Sequence, residues 1–366
     1  MEKVKKKTGE LNMKIVLTGG GTAGHVVPNL ALIPELKQAG FDVDYIGSKD
    51  GIERELAERA GLPFYGISSG KLRRYLSLKN FSDALKVVKG VNDARKALKK
   101  IKPDIIFSKG GFVAVPVVFA AKMLKIPVVI HESDITVGLA NKLAIPRSQK
   151  VCYVFPETIA QLPKEKAMHT GTPIRKEILN GSAIAGDTLC QFMHDKPVIM
   201  VMGGSLGSAF INSVLREALP DLTPNFNIIH ICGKGNFIES LQSASYRQFE
   251  YVQNGMGDLL AFSKLVVSRA GANSLAEISA LKKPNILIPL PKAVSRGDQI
   301  LNAQSFEKQG FSVVLQEENI TPTNFVEAIN ETFKNRGAYS DALRKAAVTQ
   351  DASSQIVKII LETMRS

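Results

Sequence analysis

The sequence predicts an α/β protein with two Rossmann-like domains in tandem, each a parallel sheet covered by helices. Short apolar runs alternate with helical patterns along the chain, which is typical of βαβ units. A buried strand followed by a glycine-rich turn and a helix occurs twice, around residues 19–24 and 203–207. The length of 366 residues is enough for two domains, each with its own core.

The first domain opens with a predicted strand, turn and helix. Lys14–Leu17 is a short apolar run of the kind that forms a buried parallel strand, and glycines at 19, 20, 21 and 24 form the turn. We expect the helix to begin near Pro28, because proline is tolerated in a first helical turn. Such a turn exposes backbone N–H groups at a positive helix end, which predicts a site for an anionic or oxygen-rich ligand.

The remaining elements follow in order. In the first half, strands are predicted at Val43–Ile46, Phe64–Ile67, Ile105–Ser108, Val128–His131 and Val151–Val154, and amphipathic helices at Ile52–Ala60 and Phe81–Ile101. A loose connection, Pro156–Gly171, leads to the second half, with strands predicted at Pro197–Met202, Asn227–Cys232, Glu250–Val252, Leu265–Ser268, Asn285–Pro289 and Ser312–Leu315. We place the domains at 13–165 and 166–349. A last helix, about Ser353 to Met364, fits either domain by its periodicity.

The composition is that of a soluble globular protein, with 45% hydrophobic and 22% charged residues. The three cysteines, Cys152, Cys190 and Cys232, are isolated, so we expect free thiols in a reducing cytosol. Residues 1–12 carry lysines but no apolar core, which predicts a disordered basic extension, not a signal peptide. The longest apolar run, Phe112–Ala121, is far shorter than the ~20 residues of a membrane span.

Most of the net charge of +13 lies between Lys71 and Lys102, a stretch that contains eleven Lys and Arg residues and two Asp residues. This asymmetry indicates an anionic partner surface. The start of the region alternates basic and large apolar side chains: Lys71, Arg73, Arg74, Tyr75, Leu76, Leu78, Lys79 and Phe81. Two interpretations stay open, a solvated loop leading into an exposed basic helix and a contact with a membrane surface.

The first glycine turn also matches the dinucleotide fingerprint G-x-G-x-x-G. That motif needs an acid at the end of the second strand to hold a ribose, and the first acid beyond that strand, Asp50, comes too late. A nicotinamide enzyme is therefore disfavoured. His25 follows the turn directly and is a candidate general base; the alternative is a satisfied polar residue at a helix start.

In the second half, Ser268–Glu277 follows a strand and opens a helix. Ser274 and Glu277 form the pattern S-x-x-E, for which two interpretations are open. The two residues either form a capping box at the helix start, or Glu277 accepts hydrogen bonds from the hydroxyls of a sugar. Ser205 lacks the G-x-S-x-G context of a nucleophile and is expected to donate to phosphate. Arg175 is either solvated or in contact with a ligand. Three further residues either cap a helix or bind the hydroxyls of a ligand: Asp298, Gln299 and Asn302.

The segment His131–Asp134 ends a strand at the ligand-binding side of the first sheet. Its residues lack a metal-ligand spacing, and we predict no metal site. Ligands of open α/β sheets bind beyond the carboxyl ends of the strands. Two such sheets facing across a cleft suit an enzyme with two substrates, one held by each domain.

Seven segments, in order and correctly spaced, together resemble the MurG family: GGGTAGHVVPNLAL, KLRRYLSLKNFSD, FSKGGFVAVPVV, HESDITVGLANK, GTPIR, GGSLGS and SRAGANSLAE…DQILNA. The resemblance implies a GT-B fold. It also implies inverting transfer of N-acetylglucosamine from UDP-GlcNAc to the 4-hydroxyl of MurNAc in lipid I, an undecaprenyl-linked acceptor, to give lipid II. No metal or other cofactor is implied. Alternatives in the same fold are a diacylglycerol glycosyltransferase and a UDP-GlcNAc epimerase, and a non-catalytic scaffold is the alternative from another class.

The resemblance also assigns roles to residues. His25 is the implied base, His131, Glu132 and Asp134 lie on the acceptor side, and the last helix, within 350–366, packs back on the first domain. The implied donor-binding residues are Thr22, Ala23, Gly24, Arg175, Ser205, Ala272, Asn273, Ser274, Leu275, Ala276, Glu277 and Gln299. The chain departs from many members at Ala23, where they have Gly, and at Asp134, where they have Asn. Implied partners are UDP-GlcNAc, lipid I and an anionic membrane at its cytoplasmic face, where the enzyme is peripheral; no nucleic acid is expected.

Overall fold

The structure, a computed structural model, describes residues 13–70, 78–193, 195–204, 207–252, 254–295, 297–346 and 351–365, with the backbone alone at 78–85. The chain divides into two compact units. The first comprises Met1–Glu132, Val137–Pro173 and Asp351–Ser366, and the second comprises Ser133–Thr136 and Ile174–Gln350. The predicted basic extension, residues 1–12, lies outside the described residues.

The first unit contains a parallel sheet of seven strands in the order β3-β2-β1-β4-β5-β6-β7. The strands are β1 (Met13–Thr18), β2 (Phe41–Ser48), β3 (Phe64–Ile67), β4 (Ile105–Ser108), β5 (Val128–Glu132), β6 (Lys150–Tyr153) and β7 (Ala167–His169). Its first helices are α1 (Ala23–Ala31), α2 (Ile33–Gln38), α3 (Ile52–Arg59), α4 (Leu78–Ile101), α5 (Ala114–Leu124) and α6 (Leu139–Ala144). Helices cover both faces, so the central strands are apolar on both sides; Ile15 and Val16 of β1 are fully buried in separate core clusters.

The second unit contains a parallel sheet of six strands in the order β10-β9-β8-β11-β12-β13. The strands are β8 (Val198–Met202), β9 (Asn227–Ile231), β10 (Tyr246–Phe249), β11 (Leu265–Ser268), β12 (Asn285–Leu287) and β13 (Val313–Val314). The helices are α7 (Lys176–Leu179), α8 (Ala183–Cys190), α9 (Ala209–Leu222), α10 (Met256–Phe262), α11 (Ala272–Ala280), α12 (Asp298–Lys308), α13 (Pro322–Lys334) and α14 (Arg336–Lys345). The first strand of each sheet lies in its interior, with the next two strands on one side, which is the Rossmann order.

Short 3₁₀ helices lie at Ile145–Arg147, Pro156–Gln161, Glu239–Leu241 and Glu317–Asn319, and the last helix is α15 (Ala352–Arg365). The buried face of α15 includes Ile356 and Ile360, which join the core of the first unit beside Ile105. In the described part of the chain, every helix is too short or too polar to cross a membrane.

The predicted fold class, α/β with two parallel sheets, is confirmed, but three elements differ from the prediction. The helix α1 begins at Ala23, so Pro28 lies inside it and not in its first turn. Pro28 cannot donate to the carbonyl of Gly24. The helix nevertheless passes through Pro28 because Val26, Asn29 and Ala31 are buried on the same element. The chain then bends at Leu32, which separates α1 from α2.

One strand, β10, lies a few residues before its predicted position, and another, β7, was not predicted. A strand predicted at Glu250–Val252 instead occupies Tyr246–Phe249. Buried Gln248 breaks the apolar pattern there, and its amide is satisfied by the carbonyl of Ile238 at 2.8 Å. The strand β7 lies within the predicted loose connection and pairs with β6 at the edge of the sheet. A strand of only three residues at a sheet edge is too short to show the run of apolar residues from which a strand is predicted.

Candidate active site

The turn Gly19–Thr22 joins β1 to α1 and is closely covered by other side chains of the first unit. Gly21 has a φ of +88°, and a Cβ placed there would lie 2.4 Å from the Phe112 ring. A Cβ at Gly20 would lie within 2.8 Å of the Glu53 carboxylate. The glycines are therefore required by the packing of Phe112 and Glu53. At these two positions the space beside the backbone is filled by protein side chains.

His25 lies in the first turn of α1, directly after Gly24 and three residues after the N-cap Thr22. Its backbone N–H donates to the carbonyl of Thr22 at 3.1 Å. A second glycine turn, Gly110–Gly111, follows β4; a Cβ at Gly111 would lie 2.3 Å from the Gly20 carbonyl oxygen and 3.1 Å from Cδ2 of His25. The imidazole is half-buried. The two turns thus place a partly accessible imidazole at the carboxyl ends of two neighbouring strands.

The three donor positions predicted in this region surround the start of α1. Thr22 precedes the helix and makes no side-chain capping bond. Thr22 and Gly24 are exposed, and Ala23 is half-buried. These residues lie beside His25 and can contact a ligand there.

His131 is fully buried at the end of β5 and uses both ring nitrogens inside the first unit. The Lys109 ammonium donates to Nδ1 at 2.7 Å, and Nε2–H donates to the carbonyl of Gly171 at 2.8 Å. Burial, reinforced by the Lys109 charge, lowers the pKa of His131 well below its usual value. The ring is therefore neutral and serves the internal structure. Sequence reasoning missed Lys109, because a lysine after a strand is usually solvated.

Glu132 and Asp134 have separate environments. The Glu132 carboxylate accepts from the Gly138 N–H and from the Asn141 side chain, both at 2.9 Å, and so orders the chain before α6. Asp134 belongs to the second unit, where it accepts from Asn302 at 3.2 Å. Of the three predicted acceptor-side residues, His131 and Glu132 thus belong to the first unit and Asp134 to the second.

In the second unit, Glu277 does not cap a helix. The helix α11 begins at Ala272 with Gly271 as its N-cap, so Ser274 already lies inside the helix and the capping-box alternative is excluded. The Glu277 side chain is 18% exposed, and its Oε1 lies 3.7 Å from Nη2 of Arg175. Burial raises the pKa of Glu277 above its usual value, although the Arg175 charge opposes the shift. A largely buried carboxylate without a capping role is available to a ligand.

Arg175 lies between two carboxylates, with Nη1 at 2.6 Å from Glu177 and Nη2 towards Glu277. Gln299, near the start of α12, accepts from the Leu290 N–H at 3.2 Å and so ties down the loop before that helix. Asn302 is fully buried and donates to the Ala270 carbonyl at 3.2 Å, which makes it a structural residue and not a helix cap. Ser205 lies outside the described residues.

Arg269 is a residue that sequence reasoning overlooked within a motif it had identified. It follows β11, is 6% exposed, and pairs with Glu317 at 2.5 Å. Its guanidinium also donates to the Ile288 carbonyl at 3.1 Å and to Ser208 Oγ at 2.7 Å. Ser208 caps α9 by accepting the Ile211 N–H. Arg269 therefore fixes the helix that follows the second glycine turn; the only signal was its place at the end of a buried strand.

Over the residues that the structure describes, no three His, Cys, Asp or Glu side chains are grouped so as to hold a metal ion.

Two family profiles match this chain. The glycosyltransferase family 28 N-terminal domain matches residues 15–153, and the glycosyltransferase family 28 C-terminal domain matches residues 198–358. Each match covers most of one sheet and its helices.

Relatives with a common name align with nearly the whole chain. A UDP-N-acetylglucosamine–N-acetylmuramyl-(pentapeptide) pyrophosphoryl-undecaprenol N-acetylglucosamine transferase of Clostridium botulinum is 56% identical over 334 residues, 91% of this chain and 94% of that protein. A protein of the same name from Lachnoclostridium phytofermentans is 54% identical over 350 residues, 95% of this chain and 98% of that protein.

Solved structures are similar over both units. Acinetobacter baumannii MurG has a TM-score of 0.74 and 27% identity, covering 96% of this chain and 99% of that one. A UDP-GlcNAc 2-epimerase from Neisseria meningitidis, bound to UDP-GlcNAc, has a TM-score of 0.68 and 16% identity, covering 96% of this chain and 100% of that one. The second likeness shows the fold alone.

Proposed function

This chain belongs to glycosyltransferase family 28, and from that premise we propose the reaction it catalyses. It transfers N-acetylglucosamine from UDP-GlcNAc to the lipid-linked N-acetylmuramyl-pentapeptide, which makes lipid II for peptidoglycan synthesis. The observation that carries this conclusion is the high identity, over both domains, to transferases named for this reaction. The resemblance found in the sequence motifs is thereby confirmed.

In the proposed mechanism, the acceptor hydroxyl displaces UDP from the sugar in one step, which inverts the anomeric centre. His25 accepts the proton of the attacking hydroxyl. Its support is positional: a half-buried imidazole in the first turn of α1, where the carboxyl ends of β1 and β4 meet. A well-placed general base contributes roughly two to four orders of magnitude to the rate.

Most of the proposed donor contacts belong to the second unit. Glu277 accepts hydrogen bonds from hydroxyls of the donor sugar. Arg175 binds the diphosphate and stabilises the departing UDP. The backbone N–H groups at the start of α11 add positive potential for the same anion. The exclusion of a capping role for Glu277 supports this assignment, as does the position of Arg175 beside it. Ala272–Ala276, Gln299 and Ser205 complete the proposed donor set with Thr22–Gly24 of the first unit.

For the acceptor side, the first unit's residues act mainly by shaping the site. His131 and Glu132 make hydrogen bonds within the first unit. We infer that His131 holds the ends of β4 and β5 in place and that Glu132 holds the loop before α6. Asp134 is the member of the predicted set that lies in the second unit.

The acceptor's lipid chain stays in a bilayer, so the enzyme must work at the membrane surface. We propose that it binds peripherally to the cytoplasmic face through a basic-apolar patch, defined by Lys71, Arg73, Arg74, Tyr75, Leu76, Leu78, Lys79 and Phe81. Residues 71–77 lie outside the described residues, and Leu78 begins α4. The support is therefore the sequence pattern: cations attract an anionic leaflet, and the apolar side chains insert shallowly.

The test is incubation of the purified chain with labelled UDP-GlcNAc and a short-chain lipid I analogue, followed by mass spectrometry of the product. We expect one N-acetylhexosamine to be added to the analogue. Two parallel reactions discriminate the alternatives: UDP-GlcNAc alone, which an epimerase would isomerise, and UDP-GlcNAc with diacylglycerol. Transfer to diacylglycerol, or isomerisation with no transfer to the lipid I analogue, would contradict the proposal.

A further inference from the structure

Glu53, the second residue of α3, is a fully buried carboxylate that the proposed mechanism does not use. By its sequence context it is one of several acids on an amphipathic helix that carries exposed pairs such as Arg54 with Glu58. A carboxylate removed from water is costly unless hydrogen bonds compensate it. Its partners therefore indicate what it does.

The Glu53 carboxylate connects two segments that are distant in sequence. Oε1 accepts from both the backbone N–H of Ser48, at 2.8 Å, and the Ser48 hydroxyl. Oε2 accepts from the backbone N–H of Gly21 at 3.3 Å. One side chain thus ties the glycine turn after β1 to the end of β2. The Gly21 N–H, which the sequence offered to a ligand, is already occupied by this internal anion.

Three glycines make room for this carboxylate. A Cβ at Gly20 would lie 2.5 Å from Glu53 Cδ, one at Gly47 would lie 2.5 Å from its Cγ, and one at Gly51 would lie 2.4 Å from its Cδ. They belong to the turn after β1, to β2 itself and to the connection before α3. Backbone from three segments therefore closes around Glu53, so a shift of the carboxylate must shift the turn.

We propose that Glu53 is a positioning residue, which fixes the turn Gly19–Thr22 and, through it, His25. The connection to His25 is short. Gly21 precedes Thr22, whose carbonyl accepts the His25 N–H, and the Gly20 carbonyl packs on Gly111 beside the His25 ring. The catalytic consequence rests on the proposed function, because His25 matters for turnover only if it is the base. The positional consequence does not rest on it.

The variant Glu53→Gln tests the link, because it keeps the size of the side chain and one acceptor oxygen for Ser48 but turns an NH₂ group towards the Gly21 N–H. Glu58→Gln is the matched control: it makes the same change on the same helix, at an exposed side chain. Hydrogen exchange of the peptide spanning residues 19–25 should become faster in Glu53→Gln and stay unchanged in Glu58→Gln, while β4 and β5 keep their protection. This readout needs no substrate.

Turnover tests the catalytic part. Misplacement of a catalytic group by about 1 Å costs on the order of 100-fold in rate, so we expect Glu53→Gln to lose roughly 10- to 100-fold in turnover with the lipid acceptor. UDP-GlcNAc affinity should change much less than turnover, since Arg175, Glu277 and most other proposed donor contacts belong to the second unit. Ser48→Ala, which removes one hydrogen bond to the same carboxylate, should give a smaller loss in the same direction and serves if Glu53→Gln does not fold.

The outcomes separate the two proposals. If wild-type protein transfers nothing, the proposed function fails, and the exchange of residues 19–25 still decides the role of Glu53. If exchange at 19–25 is unchanged in both Glu53→Gln and Ser48→Ala, Glu53 does not position the turn. If exchange rises equally throughout the first unit, Glu53 serves general stability, which also overturns the proposal. If the turn loosens but turnover is kept, the turn does not control His25.

Discussion

At the residue scale, Glu277 gives the sharpest test of the donor site, because the structure has removed its structural explanation as a cap. Replacing Glu277 by Gln keeps its size and removes the charge that we propose binds the donor hydroxyls. A hydrogen bond to a charged group is worth about 1.5–3 kcal/mol, so we expect UDP-GlcNAc to bind roughly 10- to 100-fold more weakly. Isothermal titration calorimetry measures this change.

The control for Glu277 is Glu177→Gln, which removes an exposed carboxylate from the same arginine. We expect nearly normal donor affinity in this variant. Equal affinity of wild type and Glu277→Gln for UDP-GlcNAc would show that Glu277 does not contact the donor.

His25 is the second test at this scale. Loss of a general base lowers turnover by roughly two to four orders of magnitude, so His25→Ala should lose activity to this extent with the lipid acceptor. Donor affinity should stay nearly unchanged. Steady-state kinetics and calorimetry separate the two effects. His169→Ala is the control, because His169 is exposed and its ring bonds to the Val154 carbonyl at 2.8 Å. A variant at His25 that retains most of its turnover would assign proton transfer to another group.

At the element scale, strand β9 carries a buried histidine that makes stability depend on pH. The Tyr246 hydroxyl donates to Nδ1 of His230 at 2.7 Å, and Nε2–H donates to the Asn212 side chain at 2.9 Å. Burial, with a smaller contribution from the Arg216 charge, lowers the pKa of His230 to about 3. This network holds the ring neutral between α9, β9 and β10.

The direction of the pH effect follows from these values. Between about pH 6.5 and pH 3 the unfolded chain binds a proton at position 230 that the folded chain does not, so stability falls as the pH is lowered through this range. His131 acts in the same direction in the first unit. His230→Gln should therefore reduce the loss of thermal stability on acidification, while the exposed control His169→Gln should not. Calorimetric melting curves across this range measure it, and an unchanged pH slope in His230→Gln would contradict the assignment.

At the scale of the whole molecule, the proposed basic-apolar patch predicts that the chain binds directly to an anionic bilayer. Basic residues contribute roughly 1 kcal/mol each near an anionic leaflet, and this attraction is screened by salt, whereas shallow apolar insertion is not. We expect the protein to sediment with phosphatidylglycerol vesicles, less at high salt, and still less after Leu76→Ser with Leu78→Ser.

The control for the patch is Ile184→Ser with Met193→Ser, two exposed apolar residues of the second unit. These changes should leave vesicle binding intact. If wild-type protein stays in the supernatant at low salt, or if the Leu76 and Leu78 double variant binds as well as wild type, the patch is a solvated basic loop.

The sequence by itself determined the two sheets, most of their strands and the position of the glycine turns. The bounds of β3, β4 and β11 agree with the prediction because a buried parallel strand is a local run of apolar residues that ends at a turn. It also identified His25 and Glu277 as candidates, because their signals are local: a side chain placed directly beside a glycine turn or in the opening turns of a helix.

Only the tertiary structure decided what the buried polar groups do. Glu53 and Gly21, Lys109 and His131, and Arg269 and Ser208 are each far apart in sequence, and their hydrogen bonds arise only when the sheets bring strand ends together. The periodicity of α15 was likewise compatible with either unit; the family resemblance implied the first, and the structure packs its apolar face beside Ile105 of that unit. Periodicity records which side of an element is apolar, but the partner that covers that side, or that satisfies a buried charge, is set by the three-dimensional arrangement of the chain.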